Sequence, residues 1–173
     1  MKKVYIVLTN TGTFLSRIVN VYTRKEFSHV SISLDENLNY MYSFGRLNAY
    51  NPFIGGFVHE SPKYGTFKRF KNTKAKIYSI EVDDRVYNEI LRNIKKIEIE
   101  KNTYKFNIIG LFAVALHLRI KRKKCFYCAE FVKYVLDKTD LELDLPDIIK
   151  PMDFTLMDGL SLIYSGKLLD FKC

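Results

Sequence analysis

Alternating and continuous runs of apolar residues predict the first strands of this chain. Residues 4–8 form a β-branched and aromatic run that ends in a cluster of Thr, Asn and Gly, which is typical of a buried strand. Residues 28–34 alternate strictly between polar and apolar positions, and the alternation places His29 with two serines on one face of a half-buried strand. Turn residues at 35–37 separate this strand from another at 40–44, so the pattern predicts a β-hairpin.

Later segments of the chain predict a loop and further strands. Residues 48–64 contain two prolines and a Gly-Gly pair, and they are predicted to form a long loop. Residues 74–82 again have the composition of a strand. Residues 160–171 are predicted to form two short strands about a turn at 165–167.

Three segments have helical periodicity. After the capping residue Asp83, apolar residues recur every three or four positions through residue 97, which predicts an amphipathic helix. Residues 104–120 predict a second, more apolar helix, and residues 128–138 predict a third with one apolar face. Helices placed between antiparallel strands indicate an α+β fold in which an antiparallel sheet packs against helices.

Length and composition favour one domain spanning residues 1–173. A chain of 173 residues with 47% apolar content can bury a core of its own. Three cysteines are too few for a disulfide scaffold, and the apolar start stops too early for a secretion signal, so a cytoplasmic location is expected. The longest apolar stretch, residues 108–120, is shorter than the roughly 20 residues that a membrane-spanning helix needs.

One cysteine and one histidine carry the candidate chemistry. Cys128 lies in the predicted first turn of a helix, where the positive helix end and a nearby imidazolium favour the nucleophilic thiolate form of a cysteine. His29 lies on the polar face of a strand, which would hold it rigidly enough to give a proton to a leaving group. Each residue also has a structural interpretation, Cys128 as a small buried apolar side chain and His29 as a solvent-facing strand residue.

Short motifs around these two residues resemble those of a known family. The chain has SHVSI at 28–32, MYSFG at 41–45 and CAEFV at 128–132, followed by LP at 145–146, PMDF at 151–154 and IYSGKL at 163–168. In this order they look like the permuted papain-fold cysteine hydrolases of the NlpC type, the YiiX/YebB-like group. The resemblance implies a circularly permuted papain-like fold in which the strand with His29 precedes the helix with Cys128.

The same resemblance implies roles for further residues. In the family, a polar and often acidic residue on the strand after the histidine orients the imidazole, and the matching position here is Ser43, with Glu60 as the alternative. Tyr104 matches a tyrosine near the oxyanion site of similar enzymes, where the Cys128 N–H would be the second donor, although Tyr104 also fits a core aromatic.

Other residues near the predicted site have alternative interpretations. Gly56 lies in the Gly-rich segment that would form a wall or lid of the cleft, so Gly56 and Glu60 are predicted to contact substrate. The spacing of Cys125 and Cys128 also suits zinc or redox chemistry, but further ligands at a suitable spacing are lacking, and we expect no metal or cofactor. Cys125 is instead a spectator or a thiol that protects Cys128. His59 and His117 are weaker candidates for the base than His29.

The charge of the chain bears on its partners. Its net charge is +9, and basic runs at 63–74 and 119–124 are interleaved with or followed by phenylalanines. Single-stranded nucleic acid is one possible partner, but no nucleic-acid-binding motif accompanies the charge. The second run follows the apolar segment directly, so an anionic membrane surface is the other candidate partner.

Together these patterns predict a cysteine hydrolase that works through a thioester acyl-enzyme. The expected substrate is an amide in a small molecule, a peptide or a cell-wall-type fragment. A membrane-surface lipid thioesterase or acyltransferase and a non-catalytic binding domain are the alternatives.

Overall fold

The computed structural model describes residues 1–13, 16, 25–48, 51–116, 118, 120 and 122–172. Within this part of the chain, six strands form an antiparallel sheet in the order β4-β3-β2-β1-β5-β8. Two short strands, β6 and β7, pair with each other in parallel. The strands are β1 (Lys2–Asn10), β2 (His29–Ser33), β3 (Met41–Asn48), β4 (Asn51–Glu60), β5 (Lys74–Val82), β6 (Lys105–Phe106), β7 (Cys125–Phe126) and β8 (Ser161–Lys167).

The helices with described bounds lie between β4 and β8. They are α1 (Gly65–Arg69), α2 (Asp84–Ile99), α3 (Ile108–Ala115) and α4 (Cys128–Leu136), with 3-10 turns at Lys101–Thr103, Pro151–Leu156 and Leu168–Asp170. The arrangement is an α+β fold with an antiparallel sheet, as the sequence predicts. None of these helices is long and apolar enough to cross a bilayer.

The sheet buries apolar side chains on both of its faces. In β1, Val4 and Ile6 join the larger core cluster, whereas Tyr5 and Val7 join a smaller cluster on the opposite face. The larger cluster includes the buried faces of α2 and α4, formed by Val86, Ile90, Ile94, Ile97, Phe131, Val132, Val135 and Leu136. This packing fixes the start of α4 relative to the strands that it covers.

Several predicted elements are confirmed. The predicted strand at 74–82 is β5, and the predicted hairpin is formed by β2 and β3, which pair Ile32 with Tyr42 and Ser33 with Met41. The cap of α2 is also confirmed, because the Asp83 carboxylate accepts a hydrogen bond from the Val86 N–H at 2.8 Å.

The prediction of a long loop at 48–64 is wrong, because most of this segment forms β4. This strand pairs with β3 from Met41 opposite Glu60 to Asn48 opposite Asn51. Because β4 lies at the edge of the sheet, its proline and glycines cost less than they would in a central strand. Its Phe57 packs on Phe44 with ring centroids 6.0 Å apart, and this aromatic contact ties the strand to the core.

Two other predicted boundaries need correction. Residues 104–120 do not form one helix, because Lys105 and Phe106 form β6 and α3 begins only at Ile108. The fully buried side chain of Asn107 caps α3 by accepting a hydrogen bond from the Gly110 N–H at 3.0 Å. The two strands predicted within 160–171 are a single strand, β8, because its pairing with β5 continues through Ser165 and Gly166.

Candidate active site

His29 is the first residue of β2 and is paired with Thr9 on β1. Its position in the ladder fixes the backbone from which the imidazole projects. The side chain is 20% exposed, so it is largely removed from water but open on one side. His29 can therefore exchange protons with a molecule bound beside it.

The carboxylate of Glu60, the last residue of β4, contacts the imidazole of His29. The Glu60 oxygens lie 2.9 and 3.1 Å from His29 Nε2, and the Ser31 hydroxyl donates to Glu60 Oε2 at 2.6 Å. Gly45, on the strand between β2 and β4, leaves space for this pair. A Cβ at Gly45 would lie 3.4 Å from His29 Cε1 and 3.5 Å from Glu60 Oε1.

The electrostatics of the pair favour a charged histidine. Burial alone would lower the pKa of the imidazole, but the charge of Glu60 and hydrogen bonds with Cys128 and Glu60 raise the pKa of His29 to about 10. Burial opposes ionisation of Glu60 too, yet the charge of His29, hydrogen bonds with His29 and Ser31, and the charge of Arg46 hold the pKa of this carboxyl below its ordinary value. At neutral pH the pair is an imidazolium and a carboxylate.

Cys128 is the first residue of α4. The preceding Tyr127 has extended backbone, and its N–H donates to the Glu130 carboxylate at 3.2 Å, which fixes the first turn of the helix. Cys128 lines the same cavity as His29, and its interactions with the imidazole contribute to the raised pKa of His29. The structure thus brings together the cysteine and the histidine that the sequence singles out, which are about a hundred residues apart in the chain.

Cys128, His29 and Glu60 all line one cavity of about 80 Å³. Hydroxyl groups form one part of its wall and apolar side chains form another. The remaining lining residues are Thr11, Thr13, Ser16, Ser28, Phe44, Gly45, Arg46, Gly55, Thr66, Phe67, Phe106 and Leu111. The cavity therefore offers a bound molecule both hydrogen-bonding and apolar surfaces next to the thiol.

The hydroxyl groups of the cavity wall form a network of their own. The Ser16 hydroxyl donates to Asn10 Oδ1 at 2.7 Å and lies 2.8 Å from the hydroxyl oxygen of Ser28. The hydroxyl oxygens of Thr11 and Thr13 lie 3.2 Å apart. These contacts orient the polar wall before any ligand is present.

The structure corrects the placement of two predicted site residues on β3 and β4. Ser43 does not contact His29, because its fully buried hydroxyl donates to the Val30 carbonyl at 2.7 Å, and Glu60 takes the position beside the imidazole. Gly56 does not line the cavity either. A Cβ at Gly56 would meet the side chain of Leu47, whereas the neighbouring Gly55 lines the cavity.

Tyr104 does not lie beside the cavity as an oxyanion donor would. It precedes β6 instead of opening a helix, and its ring stacks on Phe126 with centroids 5.7 Å apart. Lys124 lies over the same ring at 5.5 Å. Tyr104 therefore packs as an aromatic residue at the edge of the core, and Phe106, two residues later, is the one that lines the cavity.

The other candidate ligands and bases lie elsewhere. Cys125 is a buried free thiol on β7 and is not part of the cavity wall. His59 Nε2 pairs with the Glu98 carboxylate on α2 at 2.5 Å, and His117 lies outside the described residues. Within the described part of the chain, no group of three His, Cys, Asp or Glu side chains could hold a metal ion.

Comparisons with known proteins do not identify a family for this chain, so the site is interpreted from its geometry. No protein-family model matches the chain, and no curated protein matches it.

Proposed function

We propose that this protein is a cysteine hydrolase in which Cys128 is the nucleophile, His29 the acid and base, and Glu60 the residue that positions His29. One observation carries the proposal. The His29 imidazole is hydrogen-bonded to the Glu60 carboxylate, and both side chains line one cavity together with the Cys128 thiol at the start of α4. Nucleophile, base and orienting group in this arrangement are the parts that acyl transfer requires.

The proposed reaction has two steps. The thiolate of Cys128 attacks the substrate carbonyl carbon, and the His29 imidazolium balances its charge. A sulfur–carbon bond forms, the bond to the leaving amine breaks, and His29 gives its proton to that amine. Water then attacks the thioester while His29 takes up one of its protons, and the sulfur–carbon bond breaks to release the acid and restore the Cys128 thiolate and the His29 imidazolium.

Two backbone and side-chain features support this sequence of steps. Glu60 holds His29 Nε2, which leaves Nδ1 as the ring nitrogen that exchanges the proton in the proposed reaction. The Cys128 N–H is at the first position of α4, where an N–H has no acceptor within the helix. It donates to the oxygen that becomes negatively charged during attack.

We infer the finer class from the resemblance of the sequence motifs. An antiparallel sheet packed against helices, with the histidine strand before the cysteine helix, is compatible with the permuted papain-like fold of the NlpC type. The resemblance does not distinguish an amide from an acyl lipid as substrate. An amide in a peptide or cell-wall-type fragment is the substrate class that we propose, because the polar wall of the cavity suits such a group.

Acylation of the protein by p-nitrophenyl acetate tests the proposal. We expect a burst of p-nitrophenolate, with the acetyl group mapped by mass spectrometry to Cys128 and turned over on longer incubation. His29→Ala should abolish the burst, and Cys125→Ser should leave it unchanged because Cys125 does not line the cavity. Equal, slow acetylation of Cys125 and Cys128 that ignores His29 would instead indicate a non-catalytic binding domain.

A second candidate function keeps the same chemistry but changes the substrate to an acyl lipid. The apolar part of the cavity wall includes Leu111 on α3, and the neighbouring Phe112 is 41% exposed. An acyl chain could therefore pass from an apolar surface to the thiol. Faster acylation by long-chain than by short-chain p-nitrophenyl esters would favour this substrate over a peptide amide.

A further inference from the structure

The described residues between 108 and 120, which we call the apolar excursion, include five exposed large apolar side chains. The exposed ones are Ile109, Phe112, Leu116, Leu118 and Ile120, with exposed fractions from 38% to 69%. Exposed large apolar side chains gathered in one short segment are typical of a surface that contacts a protein or a membrane.

The excursion is anchored at both ends beside the candidate active site. The Asn107 N–H donates to the Phe126 carbonyl at 2.8 Å, and the Asn107 side chain donates to the Ile120 carbonyl at 3.1 Å and to Glu130 Oε2 at 3.2 Å. Glu130 belongs to α4, the helix that begins at Cys128. The apolar surface is therefore held in a fixed relation to the nucleophile.

Cations surround the ends of the excursion. Between Glu100 and Glu130 the sequence contains seven Lys and Arg residues and no acidic residue. Pairing of β6 with β7 brings Lys105 beside the basic run, because the Lys105 N–H donates to the Lys124 carbonyl at 2.9 Å. Lys105, Arg122 and Lys123 are exposed, whereas the Lys124 ammonium pairs with Glu100 at 3.0 Å.

We propose that the apolar excursion docks on an anionic lipid bilayer. Apolar side chains enter the boundary between headgroups and acyl chains, while Lys105, Arg122 and Lys123 contact the headgroup phosphates. The charge argues against a second copy of the chain as the occupant, because a two-fold symmetric contact would bring two equally basic surfaces together. Docking would hold the cavity at the membrane, since Leu111 of the same helix lines it.

Vesicle sedimentation tests the docking without relying on catalysis, so it can fail while the proposed chemistry stands. We expect the protein to bind vesicles of phosphatidylcholine with phosphatidylglycerol, and to bind vesicles of phosphatidylcholine alone much more weakly. The combined substitutions Ile109→Ser and Phe112→Ser should weaken binding at least about tenfold. Leu156→Ser with Leu162→Ser is the matched control, because both leucines are as exposed as the tested residues and lie outside the excursion.

A second pair of variants separates the electrostatic contribution to vesicle binding from the contribution of the apolar side chains. Lys105→Gln with Lys123→Gln should weaken binding by about fivefold for each cation removed, and high salt should do the same. Lys71→Gln with Lys167→Gln, which are exposed lysines elsewhere, should have little effect. Equal weakening by both lysine pairs would show attraction to net charge only and would overturn the proposal.

A fluorescence measurement keeps the test valid if the serine variant does not fold. The chain has no tryptophan, so Phe112→Trp introduces a single indole on the excursion. Its emission should shift to shorter wavelength on anionic vesicles, and the emission of Leu156→Trp should not. Absence of the shift, or a concentration-dependent dimer that the serine variant abolishes, would overturn the proposal.

Discussion

The hydroxyl of Ser31 donates at 2.6 Å to the same oxygen of Glu60 that lies 2.9 Å from His29 Nε2. Glu60 Oε2 thus contacts two polar groups on β2 although Glu60 itself lies two strands away, at the end of β4. Because the hydroxyl fixes the orientation of the carboxylate, the negative charge is directed at the imidazole. Glu60 is therefore placed to set both the orientation and the charge of His29.

Replacing Glu60 with glutamine should lower the pKa of His29. The substitution removes the negative charge that opposes burial, so the imidazole should titrate well below the value of about 10 in the native protein. Alkylation of Cys128 by iodoacetamide at neutral pH should slow by about tenfold or more, because a neutral imidazole does not stabilise the reactive thiolate as an imidazolium does. NMR titration of the His29 ring and mass-spectrometric labelling rates measure the two effects.

The pair formed by His59 and Glu98 supplies a matched control for this experiment. It too joins a histidine Nε2 to a carboxylate, at 2.5 Å, but it does not reach the cavity that contains Cys128. Glu98→Gln should leave the titration of His29 and the labelling of Cys128 unchanged. If both glutamine variants slowed labelling equally, Glu60 would have no specific role at Cys128.

Stability should decrease as the pH rises above neutrality. The pKa of His29 is about 10 in the folded protein, whereas its ordinary value is 6.5. The folded state therefore binds this proton more tightly than the unfolded chain does. This contribution is fully present below pH 6.5 and is lost as the pH rises through about 10. The free energy of unfolding should fall in that window by at most about 1.4 kcal/mol per pH unit from this group.

Urea denaturation at a series of pH values, compared with His29→Gln, isolates this effect. Lysines and tyrosines that titrate near pH 10 do so in both proteins, so only the difference between the two curves belongs to His29. The curve of the variant should be flatter between neutral pH and the alkaline end. Parallel curves would contradict a raised pKa for His29 in the folded state.

The candidate site shows why the sequence singles out Cys128 and His29 but leaves the partner of His29 open between Ser43 and Glu60. Strict alternation places His29 on a polar strand face, and helical periodicity places Cys128 at a helix start, so both signals are local. Glu60 reaches His29 only because residues predicted to be a loop form an edge strand whose register puts Glu60 opposite Met41. Strand register depends on contacts distant in sequence, and no local pattern around Glu60 reveals it.

The sequence did not predict that Phe106 lines the cavity, and the reason is again a contact between distant segments. The apolar run after Tyr104 has the composition of a long helix, but the tertiary pairing of β6 with β7 overrides that preference for Lys105 and Phe106. Phe106 then lines the cavity while Tyr104 packs on Phe126. The buried strands β1 and β5 and the amphipathic helix α2 were predictable, because their patterns follow from burial alone.

Gly55→Ala should destabilise the protein, whereas Gly56→Ala should not. A Cβ at Gly55 would lie 2.8 Å from Phe106 Cγ and 2.9 Å from the Gly45 carbonyl oxygen, and such overpacking typically costs about 1–3 kcal/mol. A Cβ at Gly56 would meet only Leu47 side-chain atoms at 3.6 Å or more, which is ordinary contact. Chemical denaturation measures both changes. If Gly55→Ala cost no more stability than Gly56→Ala, Phe106 and the neighbouring backbone would have moved to accommodate the added methyl group.

Asn107→Ala should destabilise the protein by more than the loss of an ordinary helix cap. The side chain accepts from the Gly110 N–H and also donates to the Ile120 carbonyl and to Glu130, so alanine leaves several groups without their partner. Asp83→Ala measures the cost of a cap alone, about 1 kcal/mol, because the Asp83 side chain caps α2 through Val86. We expect urea denaturation to give a larger loss for Asn107→Ala, by about 1–3 kcal/mol. Equal losses in the two variants would mean that Asn107 only caps α3 and does not anchor the excursion to the nucleophile helix.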